Sequence, residues 1–197
     1  MKKLLFRKSY RLVLIVVVII YYYWPIKYVI LSVCLAFIFA LSLDIIRLVS
    51  PKANEVVRRI FKPFARFMRF IAKKEELKDL SGTTYTLMGC TIIVIFFPKH
   101  IGIPAILFNV FGDMVATVIG KSIGRIKIFH DKTLEGSIAC FIAMLFVVIW
   151  AQWKLQLPFL IGLSGALTGT FIELFSLKIN DNLSIPILSG VVMWFLY

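Results

Sequence analysis

The sequence predicts an all-α, polytopic integral membrane protein: a bundle of about seven transmembrane helices with one cytoplasmic amphipathic helix. Three observations predict this fold class. First, 60% of the 197 residues are hydrophobic and 17% are charged, whereas a soluble domain is about half apolar and a quarter charged. Second, the apolar residues form long runs. Third, nearly all the Lys and Arg residues lie in alternate connecting segments. We expect one transmembrane domain over 1–197.

Residues 1–45 are expected to form an N-terminal helical hairpin. The run 12–43 contains one charge, Lys27, and at about 1.5 Å per residue a continuous helix of this length is roughly 48 Å long. A bilayer core is about 30 Å thick, so the chain should turn near Pro25. The basic N-terminus resembles a signal peptide, but no small-residue cleavage site follows, and we therefore expect a retained helix.

Five further apolar runs follow the hairpin, and the last is the shortest. They are 82–97, 101–119, 136–150, 155–175 and 185–197. Before them, residues 46–80 form a basic segment whose apolar residues recur at helical spacing, with the cations mostly on the other side. This segment is expected to lie on an anionic lipid surface, or alternatively to pack on the bundle with a solvated charged face.

The net charge of +13 is explained by topology. With the N-terminus in the cytoplasm and the C-terminus outside, 20 of the 23 cations fall on the cytoplasmic side, as the positive-inside rule requires. The tryptophans fall near the predicted outer ends, as in an interfacial belt: Trp24, Trp150, Trp153 and Trp194. No nucleic-acid recognition motif accompanies the cations, so we expect no nucleic-acid partner. The compact chain is typical of a bacterial inner-membrane protein.

Two acidic residues lie in or at the edge of apolar helices. Asp113 follows the apolar residues 101–112, and Glu173 is near the cytoplasmic end of its run. Ionisable groups within a span are costly, so both are functional candidates; the alternative is structural pairing with a basic residue. Asn109 and Thr117 lie one helical turn before and after Asp113, which makes that face small and polar.

Glycines and cations follow Asp113 at spacings that suit phosphate. Gly120 and Gly124 allow a ligand to approach the backbone closely, while Lys121 and Arg125, at i and i+4, can bind phosphate. The carboxylate of Asp113 can hold a metal ion. A P-loop is excluded because its first glycine is replaced by Val115 and no strand precedes it.

The next helix begins with a second polar group. Lys132 and Glu135 lie at its mouth, although Thr133 could cap the helix with Glu135 near its N-terminus in a purely structural role. Gly165 and Gly169 precede Glu173 at intervals of four residues, which permits close helix packing. Residues 180–182 are a turn by composition, predicted on the same face as the other polar groups.

Together these segments resemble the membrane lipid-alcohol kinases that include dolichol kinase, phytol kinase and CTP-dependent diacylglycerol kinase. The resemblance covers residues 75–190, and its order and spacing place every segment at the predicted cytoplasmic face. The segments are Glu76-Leu77-Lys78-Asp79-Leu80-Ser81-Gly82-Thr83-Thr84-Tyr85, Gly112-Asp113 through Gly124, Lys132-Thr133-Leu134-Glu135-Gly136-Ser137, and Asp181-Asn182-Leu183-Ser184-Ile185-Pro186.

The resemblance implies a phosphotransferase in the helix bundle 81–197, moving the γ-phosphate of CTP to the hydroxyl of a membrane lipid: a polyprenol or dolichol, a phytol-like alcohol, or diacylglycerol. Mg²⁺ is the implied cofactor. Asp113 would hold the metal or take the lipid proton, and Glu135 would be a second ligand or base. Lys132, Lys121 and Arg125 would neutralise the phosphates. The remaining candidates are Ser81, Gly82, Thr83 and Thr84 in the nucleotide pocket; Gly112, Thr117, Gly120, Gly124 and Gly136 nearby; Asp181 as a weaker metal ligand; and Asn109, Glu173 and Asn182.

Two alternatives stay open. A phosphatidate cytidylyltransferase would also use CTP, but its characteristic tail of lysine–aspartate and histidine–glycine–glycine elements followed by spaced aspartates is not found. A small transporter could use ionisable groups at the bilayer midplane, but the acidic residues cluster at one face. The expected partners are a lipid alcohol, a nucleoside triphosphate and an anionic lipid surface; the oligomeric state is left open.

Overall fold

A computed structural model describes residues 13–49, 79–130, 132–175 and 180–197. These residues form seven helices and one short antiparallel strand pair, β1 (Lys127–Phe129) with β2 (Lys132–Thr133). The helices, in chain order, are α1 Val13–Tyr23, α2 Ile26–Val49, α3 Gly82–Phe96, α4 Lys99–Ser122, α5 Leu134–Leu155, α6 Phe159–Phe175 and α7 Asp181–Leu196. The all-α class is confirmed, apart from the strand pair between α4 and α5.

The predicted interruption near Pro25 is present, while a hairpin over 1–45 stays a prediction. Only Trp24 and Pro25 separate α1 from α2, and Pro25 interrupts the helix because it has no backbone N–H. α2 continues to Val49 and so includes Arg47, which we expected in the basic segment. Residues 1–12 and 50–78, with most of the predicted amphipathic segment, lie outside the described residues.

α4 is the central helix of the bundle. In its most apolar stretch 72% of the residues are buried, against 17% for α2. It contacts α1, α3, α5, α6 and α7, while α2 lies at the periphery against α3. α2, α4 and α5 are long and apolar enough to cross a membrane, and the other four helices are shorter but apolar. Large apolar side chains also point outwards, such as Leu35, Phe146 and Phe195, as in a membrane protein. Seven crossings stay a prediction.

Several helix boundaries differ from the expectation. Leu155 ends α5 rather than beginning α6, because Gln156 adopts a left-handed conformation with φ of 56° and Pro158 follows. α5 therefore extends beyond 136–150 at both ends. The turn expected at 180–182 is wrong: Asn180 caps α7, and residues 181 and 182 form its first turn.

The helix ends form two distinct layers. One, the aromatic end, contains the α1–α2 turn and the start of α4; here the Tyr21 hydroxyl donates to the Phe97 carbonyl at 3.0 Å, and Lys99 donates to the Trp24 carbonyl at 2.9 Å. Phe97 also packs edge-on against Trp194. The other, the polar end, contains the ends of α2, α4 and α6 and the starts of α3, α5 and α7. The candidate residues from the sequence lie mostly at the polar end.

Candidate active site

Asp113 lies in α4 immediately after an irregular turn. Its side chain is only 3% exposed. The preceding residues Phe108–Gly112 form a π turn, four residues beyond Pro104, which is inside the helix. π turns are rare and frequent at functional sites. Asp113 is therefore a buried carboxylate at a local irregularity of the most buried helix.

Asn109, in the π turn, connects α4 to α7 and α3. Its Nδ2 donates to the backbone carbonyl of Asn182 at 3.4 Å, and the Nδ2 of Asn182 donates to the carbonyl of Gly82 at 3.2 Å. The Asn182 carbonyl can accept this bond because Pro186, four residues on, has no N–H to offer it. The predicted candidates Asn109, Asn182 and Gly82 thus form one hydrogen-bonded group.

The two asparagines also present unused acceptors. A carbonyl can only accept a hydrogen bond, so both contacts fix the amide orientation and identify the Oδ1 atoms of Asn109 and Asn182. Both atoms are buried and have no hydrogen-bond partner among the described residues. Leaving a buried acceptor unsatisfied costs about 1–3 kcal/mol. A polar ligand, a water molecule or an ion bound at these atoms would remove this cost.

Lys132 forms ion pairs at the polar end. Its Nζ is hydrogen-bonded to Glu173 Oε1 and lies 3.9 Å from Asp181 Oδ2. Glu173 is only 2% exposed, so the pair offsets the cost of burying its charge. The structural alternative considered for Glu173 is confirmed, and Lys132 links β2, α6 and α7.

The N-terminus of α5 is fixed by contacts with residues nearby in the sequence. Thr133 caps the helix by accepting from the Gly136 amide at 3.2 Å, as the structural alternative predicted. Glu135 accepts from the backbone amides of Arg125 and Ile126 at 3.0 and 3.3 Å. Its carboxylate therefore holds the segment that leads into β1. The side chains of Lys121 and Arg125 are exposed, and Thr117 is half-buried.

The predicted glycines pack α4 against α5. A Cβ on Gly136 would lie 2.9 Å from the Ala116 carbonyl and 3.2 Å from the Gly120 Cα. A Cβ on Gly124 would lie 2.1 Å from the Gly120 carbonyl, and one on Gly112 would lie 2.3 Å from the Met144 Cε. Packing against backbone is enough to explain glycine at Gly124 and Gly136, whereas the atom nearest a Cβ on Gly112 is the flexible end of Met144. Close approach to phosphate stays a prediction.

Asp44 is a polar-end residue that the sequence reasoning missed. It is 6% exposed, and its Oδ2 accepts from the Ser81 amide and the Thr84 hydroxyl, both at 2.7 Å. Its Oδ1 pairs with Arg47 at 3.1 Å. Ser81 and Thr84 were candidates for the nucleotide pocket; Thr83 beside them is half-buried. The available signal was an Asp and an Arg three residues apart in an otherwise apolar helix.

The expected metal ligands are not gathered into one group. Within the described ranges, no three His, Cys, Asp or Glu side chains come together as a metal-binding set. Glu135 binds backbone amides, and Asp181 lies beside Lys132. The nearest established polar group along the chain is Asn109, four residues before Asp113 in α4, which is hydrogen-bonded to Asn182.

Comparison with known proteins places the chain in a family. No protein-family model matches it, and no solved structure does. The uncharacterized protein RP860 of Rickettsia prowazekii is 31% identical over 151 residues, covering 75% of this chain and 72% of the relative. The uncharacterized protein MJ1137 of Methanocaldococcus jannaschii is 30% identical over 145 residues, covering 69% of each. The chain belongs to the family of these two proteins.

A third relative has a named activity. CTP-dependent diacylglycerol kinase 1 of Schizosaccharomyces pombe is 26% identical over 176 residues, covering 81% of this chain and 77% of the relative. This distant similarity supports the resemblance to lipid kinases based on the motifs. The match covers 81% of this chain, so it is not limited to one short motif.

Proposed function

We propose that the protein is a membrane lipid kinase that transfers the γ-phosphate of CTP to the hydroxyl of a membrane lipid alcohol at the polar end. The observation that carries the proposal is the buried Asp113 beside the Asn109–Asn182–Gly82 group in an otherwise apolar bundle. The 26% identity to a CTP-dependent diacylglycerol kinase supports the reaction class and the donor.

The reaction needs positioning and charge neutralisation more than covalent catalysis. The lipid hydroxyl oxygen attacks the γ-phosphorus and forms a new P–O bond. The bond from the γ-phosphorus to the β,γ-bridging oxygen breaks, and CDP leaves with that electron pair. The hydroxyl proton passes to one oxygen of the Asp113 carboxylate, whose other oxygen stays available to a metal ion. Lys132, with the exposed Lys121 and Arg125, neutralises the phosphate oxygens.

Magnesium fits the oxygen atoms at this site. Mg²⁺ is usually held by one or two carboxylates and the substrate phosphates. Asp113 supplies a carboxylate, and Asn109 and Asn182 supply two buried Oδ1 atoms that no described residue hydrogen-bonds. These three residues would hold the ion, which would supply neutralising charge to the phosphates. Glu135 and Asp181 are less suited because of their other contacts.

The polar end also suggests how the protein is oriented in the membrane and how the lipid reaches the site. The polar end faces the cytoplasm, where 20 of the 23 cations would lie and CTP is available. The N-terminus is then cytoplasmic and the C-terminus outside. The lipid hydroxyl reaches the site laterally while its tail stays in the bilayer. Diacylglycerol, a polyprenol and a phytol-like alcohol are the acceptors to compare.

One labelling experiment tests this proposal. The purified protein is incubated with Mg²⁺, lipid alcohols or phosphatidate, and CTP labelled at either the γ- or the α-phosphate. Transfer of γ-label to a lipid alcohol is expected; α-label in lipid would instead indicate cytidylyl transfer. Asp113→Asn should abolish the transfer. Asp79→Asn is the matched control, because Asp79 is exposed and bonds to the Leu80 amide and the Tyr85 hydroxyl.

Thermal unfolding of each variant shows whether loss of transfer reflects loss of fold. Asp113→Asn protein that unfolds as the wild type does and transfers γ-label at the wild-type rate would refute the role of Asp113. Absence of γ-transfer to every lipid alcohol by the wild-type protein would refute the proposed function.

A further inference from the structure

The end of α2 is joined to the start of α3 by one buried carboxylate. Asp44 Oδ2 accepts from the Ser81 amide and the Thr84 hydroxyl, each at 2.7 Å, and Asp44 is 6% exposed. Arg47 contacts the other oxygen at 3.1 Å and donates to the Asp79 carbonyl at 2.6 Å. Two residues of α2 thus hold the chain on both sides of Leu80.

These contacts use some of the donors that a phosphate would need at this helix N-terminus. A helix N-terminus attracts anions through its free N–H groups and dipole. At the start of α3, the Asp44 carboxylate accepts hydrogen bonds from the Ser81 amide and the Thr84 hydroxyl. The Ser81 hydroxyl accepts from the Thr84 amide at 3.2 Å. The protein's own anion therefore occupies the first turn of α3, where the sequence suggested nucleotide binding.

The same turn is hydrogen-bonded to the group beside Asp113. Gly82, next to Ser81, accepts from Asn182 through its carbonyl at 3.2 Å. The Asn182 carbonyl accepts in turn from Asn109 at 3.4 Å, one helical turn before Asp113. A continuous series of contacts therefore runs from α2 through α3 and α7 to α4.

We propose that Asp44 is a positioning residue for phosphoryl transfer. It fixes the first turn of α3, so that the Gly82 carbonyl orients Asn182 and, through it, Asn109 beside Asp113. The Ser81–Thr84 turn then supports the site without itself binding the phosphates. This inference rests on the proposed kinase activity for its catalytic part, while its structural part can be measured independently.

The test compares variants that keep or remove the acceptor. Asp44→Asn retains an oxygen for the Ser81 amide and the Thr84 hydroxyl but loses the ion pair with Arg47. Asp44→Ala removes both. Thr84→Val removes only the hydroxyl, with little change of shape. Asp79→Asn is the matched control, since its carboxylate makes only local contacts in the described structure.

Two readouts are measured on the purified full chain. The first is kcat and KM for γ-labelled CTP with diacylglycerol. The second is amide hydrogen exchange in peptides covering 79–86 and 180–186. Asp44→Ala should lower kcat by about 100-fold, the scale of a 1 Å misplacement, with a smaller change in KM. Exchange should accelerate in both peptides. Asp44→Asn should recover most of kcat, and Thr84→Val should show a smaller loss than Asp44→Ala.

Several outcomes would overturn the inference. If Asp44→Asn is as inactive as Asp44→Ala while exchange is unchanged, Asp44 acts on the reactants directly. If exchange at 180–186 is unaffected by Asp44→Ala, the series of contacts does not position Asn182. Should Asp44→Ala fail to fold, the same comparison is made with Thr84→Val. If the wild-type protein transfers no γ-label, the proposed function fails, and the exchange data still decide whether Asp44 positions this layer.

Discussion

Substitution of Gly136 separates two explanations for the glycines at the α4–α5 crossing. The resemblance to lipid kinases suggests that such glycines give phosphate access to the backbone. In the structure, a Cβ on Gly136 would lie 2.9 Å from the Ala116 carbonyl, 3.2 Å from the Gly120 Cα and 3.1 Å from the Thr133 hydroxyl. Two of these neighbours are backbone atoms, so they cannot move without shifting a helix. We expect Gly136→Ala to destabilise the fold.

The size of the effect follows from two opposing contributions. Alanine is favoured over glycine within a helix by about 0.5–1 kcal/mol. Overpacking costs about 1–3 kcal/mol, and contacts with backbone place Gly136 in the upper part of that range. The net destabilisation is about 1–2 kcal/mol. For a chain of this size, 1 kcal/mol corresponds to about 2–4 °C, so the expected loss in Tm is about 2–8 °C.

The assay is thermal unfolding of Gly136→Ala and Gly190→Ala in the same detergent, with CTP binding measured below the Tm. Gly190 is the matched control: it is also buried and helical, but a Cβ there would meet only side-chain atoms, the nearest being Ile93 Cδ1 at 3.1 Å. That methyl group can rotate away, so Gly190→Ala should keep the wild-type Tm or raise it slightly.

A Gly136→Ala protein with wild-type Tm would refute the packing argument. If that same protein also lost CTP binding, Gly136 would be needed for binding the nucleotide and not for packing α4 against α5.

Two further substitutions test individual side chains. Glu135→Gln keeps an acceptor for the Arg125 amide. Because a single hydrogen bond contributes about 0.5–1.5 kcal/mol, the variant should retain kcat within about tenfold in the γ-label assay. A loss as complete as that of Asp113→Asn would instead identify Glu135 as a metal ligand or base. Lys132→Met removes the cation paired with Glu173 and should lower the free energy of unfolding by about 3 kcal/mol, measured by thermal unfolding. Adding Glu173→Gln should restore most of the lost stability. If the double variant is no more stable than Lys132→Met, the ion pair is contradicted.

Much of the fold was predictable because membrane helices are constrained by composition. The length of the run 12–43 and the position of Pro25 were enough to predict the interruption between α1 and α2, and the alternation of charge placed the helix ends in two layers. Boundaries were harder to predict where apolar residues continue through a turn. Leu155 belongs to an apolar run, but the left-handed Gln156 and Pro158 assign it to α5.

The candidate site was predictable only where an apolar helix contained an isolated polar group. Asp113 and Asn109, both within the apolar run 101–119, stand out on this basis. Asp44 did not, because it lies next to a basic segment and so looked like a solvated residue at a helix end. Its importance comes from contacts 37 and 40 residues away in sequence. Glu135 shows the converse: its position suits a metal ligand, but its contacts are with nearby backbone amides.

Two prolines explain how polar contacts can form inside apolar helices. A helical carbonyl normally bonds to the N–H four residues on, and a carbonyl without that bond has both lone pairs available to another helix. Pro186 has no N–H, so the Asn182 carbonyl is free to accept from Asn109. Pro104 lies just before the π turn that contains Asn109 and precedes Asp113. In apolar helices such as these, an asparagine four residues before a proline can therefore use its backbone carbonyl for an interhelical contact, a pattern that is visible in sequence.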